Sequence, residues 1–195
     1  MSYHATKVFN TFEGGAIVCP NIKTKKRIDD LKNFGFHDEV TVVAPGINAK
    51  MNEIQAAFGI LQLKHIDKAL ARRQAIDALY RKELANIKGI SYPALPVDTQ
   101  YNYAYFPILV ENEYPLTRDG LNDKLREYGI FPRRYFYPLI SEFPMYRGLP
   151  SATQSNLPTA HKIAEKVLCL PIYPALEYED ITRIISCLLY TSPSP

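Results

Sequence analysis

The residues with the clearest chemical potential lie in residues 2–7 (SYHATK). Lys7 carries an amine that can act as a nucleophile or a proton carrier, and it follows a serine hydroxyl, Ser2, and an imidazole, His4. A lysine without a special setting is in most cases a solvent-exposed surface residue. Here small, aromatic and imidazole side chains precede the lysine, and a glycine pair follows it at residues 14–15. This setting favours a functional lysine over a surface one.

Two further segments concentrate residues of the kinds that bind ligands. Residues 46–59 (GINAKMNEIQAAFG) contain Asn48, which is either a binding residue or a turn asparagine. Residues 133–138 (RRYFYP) supply cationic and aromatic groups, which can bind an anion and a flat ring. A tyrosine-rich sheet face is as often part of a core, so both alternatives stay open here. The candidate substrate-binding residues are His4, Arg134, Tyr135 and Tyr137.

The apolar pattern predicts the elements that must position these groups. Strands are predicted over residues 14–19, 101–110 and 131–137. Helices are predicted over residues 23–34 with Thr24 as a possible cap, 51–87 as one helix or two abutting helices, 117–128, 157–168 and 179–188. Residues 89–100 are predicted to be a linker, with a domain boundary there or within the long helical segment. This order fits a small α/β domain packed beside something larger.

Composition excludes several functional classes. With 195 residues, 47% apolar content and a net charge of +3, the chain is predicted to be globular and too weakly basic for a nucleic-acid binder. The basic cluster at residues 23–27 is expected to be a solvated helix face. Three widely spaced cysteines suggest reduced, buried thiols in a cytoplasmic protein, and no apolar stretch reaches membrane-spanning length. The remaining histidines lack partners at metal-ligand spacing, so no metal site is predicted.

Taken together, these motifs resemble the DegT/DnrJ/StrS family of pyridoxal-phosphate (PLP) aminotransferases that act on nucleotide-linked keto sugars. The lysine segment of that family reads Ser-aromatic-His-x-x-Lys, as residues 2–7 do. Residues 46–59 are similar to the family's Gly-x-Asn-x-Arg-Met block, with Lys50 in place of the usual arginine. Residues 133–138 and 169–174 continue the resemblance, which covers nearly all of residues 2–188.

The resemblance implies roles for individual residues. Lys7 is expected to hold PLP as a Schiff base and to shuttle a proton, both of which require a neutral amine. Ser2 is expected to bind the cofactor phosphate, and Asn48 that of the neighbouring subunit, so that a homodimer shares its active sites. His4 is expected to pack beside the lysine rather than act as a general base. Dehydratase relatives carry histidine at the lysine position, and Lys7 argues against that branch.

The resemblance also implies an α/β architecture of fold type I, the fold of aspartate aminotransferase. Residues 1–88 are expected to end the large PLP-binding domain and residues 89–187 to form the small carboxy-terminal domain. Residues 188–195 resemble translated sequencing adaptor and are expected to be a non-native tail. In this family the acidic partner of the pyridine nitrogen precedes the lysine, so the chain is expected to be a fragment without turnover.

The expected reaction transfers an amino group from L-glutamate to a nucleotide-linked keto-6-deoxyhexose, with dTDP as the expected nucleotide. Both the donor and the nucleotide come from the resemblance alone. The alternative is a non-catalytic dimerisation or scaffold module that has lost the cofactor half. A membrane or nucleic-acid partner is not expected.

Overall fold

A computed structural model describes residues 1–191, whose contacts divide the chain into two units, Met1–Lys68 and Ala69–Pro195. The division falls inside a helix, α3 (Ile66–Leu84). Within residues 1–191, the helices are too short or too polar to cross a membrane.

The first unit contains two helices that begin at asparagine caps. Helix α1 (Ile22–Lys32) starts after Asn21, whose side chain accepts a hydrogen bond from the Thr24 backbone N–H at 2.9 Å. Asn21, and not the predicted Thr24, is therefore the cap. Asn52 caps α2 (Glu53–Leu63) in the same way, accepting from the Gln55 backbone N–H at 2.9 Å. Since α3 follows α2 after a short break, the predicted long helical segment consists of two abutting helices, one of the two alternatives.

The strand predicted over residues 14–19 is wrong for the part of the chain that the structure describes. Only Gly15 pairs there, through an isolated bridge to Ser2, while Ile17 and Val18 are 69% and 75% exposed. A buried strand needs neighbouring strands to satisfy its backbone and cover its side chains. Residues 1–68 supply neither, and their only buried residues are Thr11, Gly35 and Gly59.

The second unit is built around a three-stranded antiparallel sheet. Its strands β1 (Ile90–Ser91), β2 (Phe106–Val110) and β3 (Val167–Leu170) lie in the order β1-β2-β3. Phe106 pairs with Leu170 and Ile108 with Leu168 in the central register. The core side chains come from the sheet, from α3, and from helices α4 (Arg118–Glu127) and α6 (Tyr178–Tyr190).

Two predicted elements of this unit are corrected by the structure. Residues 131–137 form no strand and pair only once, between Arg133 and Cys169. The third strand is β3, which the prediction had placed partly in a helix; that helix, α5, ends earlier and spans Pro158–Ala164. Four consecutive buried apolar residues fit a strand covered on both faces, and this signal outweighs the helical spacing that precedes it. β1 lies in the segment predicted as a linker.

The strand predicted over residues 101–110 is present only over Phe106–Val110, as β2. Helix α4 follows its predicted cap, Thr117, whose hydroxyl accepts from the Gly120 backbone N–H at 3.1 Å. Three 3-10 turns lie between α4 and α5, at Ile140–Glu142, Pro150–Ala152 and Gln154–Asn156.

The cysteines are free thiols, but the prediction that all three are buried is wrong for Cys19 and Cys187. Cys169 alone is buried, which raises the pKa of its thiol to about 11, whereas Cys19 and Cys187 are partly exposed.

Helix α6 extends past its predicted end at residue 188. Leu188 is completely buried, and its carbonyl accepts a hydrogen bond from the Tyr114 hydroxyl at 2.9 Å. The adjacent Leu189 is 48% exposed. Residues 192–195 of the predicted non-native tail lie outside the described residues, and the origin of the tail stays a prediction.

The neighbouring leucines of α6 give a matched test of this packing. Leu188→Ala should lower the free energy of unfolding by about 2–5 kcal/mol, because it leaves a cavity in the core. Leu189→Ala should change it by less than about 0.5 kcal/mol, because that side chain is half exposed. Urea unfolding followed by circular dichroism measures both, and equal effects would place Leu188 outside the core.

Candidate active site

Backbone pairing at its two ends closes the segment that carries Lys7. Ser2 and Gly15 form an antiparallel bridge, and the Tyr3 N–H donates to the Gly14 carbonyl at 2.9 Å. Gly14 has a φ of +140°, which side-chain-bearing residues rarely adopt. A Cβ there would also lie 2.7 Å from the Met51 methyl carbon. Residues 2–15 therefore form a closed loop, hereafter the lysine loop.

Lys7 sits in a turn of the lysine loop. Its backbone N–H donates to the His4 carbonyl at 2.9 Å, and its own carbonyl accepts from the Asn10 side-chain amide at 3.2 Å. The side chain is exposed, and its amine has no hydrogen-bond or ion-pair partner among residues 1–191. The loop thus fixes the backbone of Lys7 and leaves the amine available.

Helix α2 packs against the lysine loop. Thr11 is only 2% exposed, and the Glu13 carbonyl accepts hydrogen bonds from the Thr11 hydroxyl at 2.8 Å and the Gln55 amide at 2.9 Å. The Phe12 and Phe58 rings stack with their centroids 4.4 Å apart. Gly59 lets the loop approach closely, since a Cβ there would lie 2.9 Å from the Thr11 methyl carbon.

The structure brings Ser2 and His4 into the same loop as Lys7. The Ser2 hydroxyl accepts from the His4 backbone N–H at 3.4 Å. The His4 ring contacts the Thr6 hydroxyl at 2.9 Å on one side and lies 3.5 Å from the Glu13 carboxylate on the other. The imidazole is therefore engaged within the loop, with Thr6 and Glu13.

Asn48 lies on a different turn of the first unit. Its backbone pairs with Asn33, and its side chain is exposed. Lys50, which stands where the family usually has arginine, donates to the Asn33 side-chain carbonyl at 2.8 Å. The Lys50 amine also lies 4.6 Å from the centroid of the Phe34 ring. Lys50 thus tethers the turn that presents Asn48.

The candidate residues of the second unit line one groove of about 400 Å³, between α4 and residues 132–137. Arg134 lies 2.5 Å from the Asp119 carboxylate. The Tyr135 hydroxyl is 2.8 Å from that of Tyr105. Tyr137 lies against the Arg118 guanidinium, 4.6 Å from the ring centroid. Arg134, Tyr135 and Tyr137 thus line one groove, although each already has a partner within the protein.

Asn122 and Arg126 also line this groove, and the sequence analysis missed both. They stand four residues apart on α4, next to the buried Leu121 and Leu125. The sequence offered one signal, that Asn122 adjoins the apolar stripe of an amphipathic helix. A polar residue at such a position is usually expected to be exposed, so the signal did not indicate a buried asparagine.

The groove's electrostatics centre on Asp119. Burial acts to raise the pKa of its carboxyl, but hydrogen bonds from Arg134 and Arg118 and their charges outweigh burial, so the pKa is lowered. Asp119 therefore stays ionised at neutral pH and neutralises part of the arginine charge around it.

The comparisons with known proteins cover nearly the whole chain. The DegT/DnrJ/EryC1/StrS aminotransferase family matches residues 1–189. The dTDP-4-amino-4,6-dideoxy-D-glucose transaminase of Escherichia coli is 53% identical over 178 residues, which are 91% of this chain and 48% of that protein. The transaminase of the same name from Shigella dysenteriae is 46% identical over 188 residues, covering 96% and 51% of the two chains.

A solved structure gives the same result. DesI, determined in the presence of its TDP-sugar product, matches with a TM-score of 0.88 and 34% identity over 98% of this chain and 49% of that one. The chain thus spans about half the length of the curated relatives it matches.

The lowered pKa of Asp119 predicts a pH effect on stability. A carboxyl with a lowered pKa stabilises the fold above its unfolded-state value of 3.8, and this contribution is lost as the pH falls through the folded-state pKa. Asp119→Asn should therefore make unfolding less sensitive to acid, by less than about 1 kcal/mol because the side chain is 57% exposed. Asp98→Asn, at an exposed position, is the control. Urea unfolding at pH values from neutral to below 3.8 measures the effect, and identical acid sensitivity in both variants would contradict it.

Proposed function

Because the chain belongs to the DegT/DnrJ/EryC1/StrS aminotransferase family, we propose that it is the carboxy-terminal part of a PLP-dependent sugar aminotransferase. The reaction moves an amino group from L-glutamate to carbon 4 of a dTDP-linked 4-keto-6-deoxyhexose. The observation that carries this proposal is the 53% identity to a transaminase named for dTDP-4-amino-4,6-dideoxy-D-glucose. Amination of a 4-keto group yields a sugar of that kind.

The residues of the lysine loop fit PLP, whose reactive groups are an aldehyde and a phosphate. The exposed Lys7 amine suits the aldehyde, and the Ser2 hydroxyl, at the closed end of the same loop, suits the phosphate. Glu13 is the only carboxylate of the loop, and it faces His4. The family resemblance implies that the acidic partner of the pyridine nitrogen lies in the remainder of the parent enzyme, and we propose on this basis that the 195-residue chain does not turn over alone.

In the proposed mechanism, bound PLP supplies the electron sink that stabilises negative charge at the α-carbon of the amino donor. Lys7 would hold the cofactor through its Nζ, and once free the same amine would take the proton from the α-carbon of the amino donor. The backbone hydrogen bonds on both sides of Lys7 hold its backbone in place, so that the side chain starts from a fixed position for this transfer.

Other residues are assigned to binding. Ser2 donates to the cofactor phosphate, and Asn48 to the phosphate of the neighbouring subunit's cofactor, so the proposed parent is a homodimer with shared active sites. His4 stays beside the lysine, while Arg134, Tyr135 and Tyr137 belong to the substrate-binding surface.

The architecture in this proposal is fold type I, with residues 1–88 ending the large domain and residues 89–187 forming the small one. The relatives that match nearly the full length of the chain are named as transaminases. They do not favour the alternative of a non-catalytic scaffold.

A fusion protein tests the proposed function. The amino-terminal half of the Escherichia coli relative, joined to this chain, should aminate a dTDP-4-keto-6-deoxyhexose. With nitrogen-15 L-glutamate, the label should appear on carbon 4 of the sugar. Lys7→Ala should lower the rate by at least ~10²–10⁴-fold, because it removes the group that transfers the proton.

The matched control is Lys23→Ala, which removes an exposed lysine of α1 and should leave the rate unchanged. A Lys7→Ala fusion that still aminates the sugar at the unmodified rate would contradict the assignment of Lys7. If the label is transferred from another amino donor and not from L-glutamate, only the assignment of L-glutamate as the donor is contradicted.

A further inference from the structure

Arg73 joins two segments that are far apart in sequence. It lies on α3, and its Nη1 donates to the carbonyls of Tyr103 at 3.1 Å, Ala104 at 3.4 Å and Ile172 at 2.9 Å. The first two carbonyls precede β2, and the third follows β3. Because β2 and β3 are antiparallel, these segments lie at the same end of the sheet. One guanidinium nitrogen therefore holds them together.

The head group of Arg73 is partly withdrawn from water. The residue is partly buried, and its Nε is buried without a hydrogen-bond partner among residues 1–191. An arginine that only supplies surface charge keeps its head group in water. Burial of a charged group is costly unless hydrogen bonds compensate for the lost water. The three carbonyls provide that compensation, so Arg73 is tied to the backbone that it binds.

The first of these segments has a strained backbone. Tyr103 has a φ of +50°, which residues with bulky side chains seldom adopt. Such a conformation costs free energy and persists only where surrounding contacts hold it. The Asn102 side-chain carbonyl accepts from the Ala104 N–H at 3.1 Å, and Arg73 binds the carbonyls of Tyr103 and Ala104. Arg73 is therefore one of the groups that maintain this turn.

The turn leads directly into Tyr105, which contacts the groove between α4 and residues 132–137. The Tyr105 hydroxyl is 2.8 Å from that of Tyr135, and the two ring centroids are 4.5 Å apart. Tyr135 packs on Phe136, with the ring centroids 3.9 Å apart. Both Tyr135 and Phe136 line the groove. A chain of contacts thus runs from Arg73 through the turn to the aromatic side of the groove.

The groove segment itself depends on a small number of contacts, because residues 132–137 form no strand. The backbone of Arg133 exchanges hydrogen bonds with that of Cys169, at 3.0 and 2.8 Å. Beyond this bridge, the contact with Tyr105 holds Tyr135. A displacement of Tyr105 would therefore reach the groove directly.

We propose that Arg73 is a positioning residue for the substrate groove. It maintains the turn at residues 103–104, and through Tyr105 it fixes the place of Tyr135. This role rests on the proposed function, in which Tyr135 belongs to the substrate-binding surface. Arg73 does not line the groove, so it acts without touching the substrate. Because Tyr135 is assigned to binding, Arg73 affects the affinity for the sugar substrate.

Hydrogen–deuterium exchange of the full chain tests the structural part of this role. Arg73→Met keeps an apolar stem but removes the donor, so exchange should become about tenfold faster in residues 101–105 and in residues 133–137. Arg72→Met is the matched control on the same helix. Arg72 donates to the Leu176 carbonyl at 2.6 Å, in the segment after β3. Its loss should leave exchange in residues 133–137 as it is in the unmodified chain.

Tyr105→Phe tests whether the effect passes through the paired hydroxyls. It should speed exchange in residues 133–137, and adding Arg73→Met should speed that segment no further, because the two residues act in series. Additive effects would overturn the connection through Tyr105. If Arg73→Met unfolds the chain, Arg73→Gln takes its place with the same expectations, since its shorter amide falls short of the carbonyls. A change confined to residues 101–105 overturns the positioning role.

Kinetics of the fusion protein test the functional part. Arg73→Met should raise the KM for the dTDP-4-keto-6-deoxyhexose about tenfold and keep kcat within about twofold, because the lost contacts serve binding. Arg72→Met should change neither. A fall in kcat with an unchanged KM would overturn the assignment to substrate positioning.

The two experiments separate this role from the proposed function. If exchange couples Arg73 to residues 133–137 while the fusion protein does not aminate a sugar, the positioning of the groove stands and the proposed function fails. If the fusion protein aminates the sugar and Arg73→Met leaves its KM unchanged, the positioning role fails alone.

Discussion

The backbone pairing between Ser2 and Gly15 is the constraint on which the candidate active site depends. An isolated loop of this length would sample many conformations, and the pairing removes most of them. The φ of +140° at Gly14 permits the closure, and the close approach at Gly59 seats the loop on α2. Two glycines far apart in sequence thus serve one purpose. They hold the Lys7 backbone while its amine remains free to react.

In the second unit, charged side chains lie next to the hydrophobic core. Helix α4 turns Leu121 and Leu125 inward and places Asn122 and Arg126 along the adjacent face. The same helix therefore contributes both to the core and to the groove. Asp119 balances part of the arginine charge beside the groove through its contacts with Arg134 and Arg118.

Much of this organisation was predictable because it rests on local signals. Caps and apolar spacing predicted α4 and the helices of residues 51–87, and the family resemblance singled out Lys7. The prediction of a strand over residues 14–19 was wrong. An apolar run predicts that its side chains are covered, but it does not show which part of the protein covers them. β3 was missed because its short apolar run overlaps the helical spacing of residues 157–168, and the pairing with β2 that decides between the two joins segments about sixty residues apart. The burial of the Asn122 side-chain oxygen without a hydrogen-bond partner is visible only in three dimensions.

Borohydride reduction of the fusion protein in the presence of PLP, followed by peptide mapping with mass spectrometry, tests the assignment of Lys7 most directly. Reduction makes the bond between the cofactor and its lysine permanent, so the modified peptide identifies that lysine without any need for turnover. We predict a single adduct, located at Lys7. An adduct at another single lysine, or labelling spread over exposed lysines such as Lys23 and Lys26, would contradict the assignment.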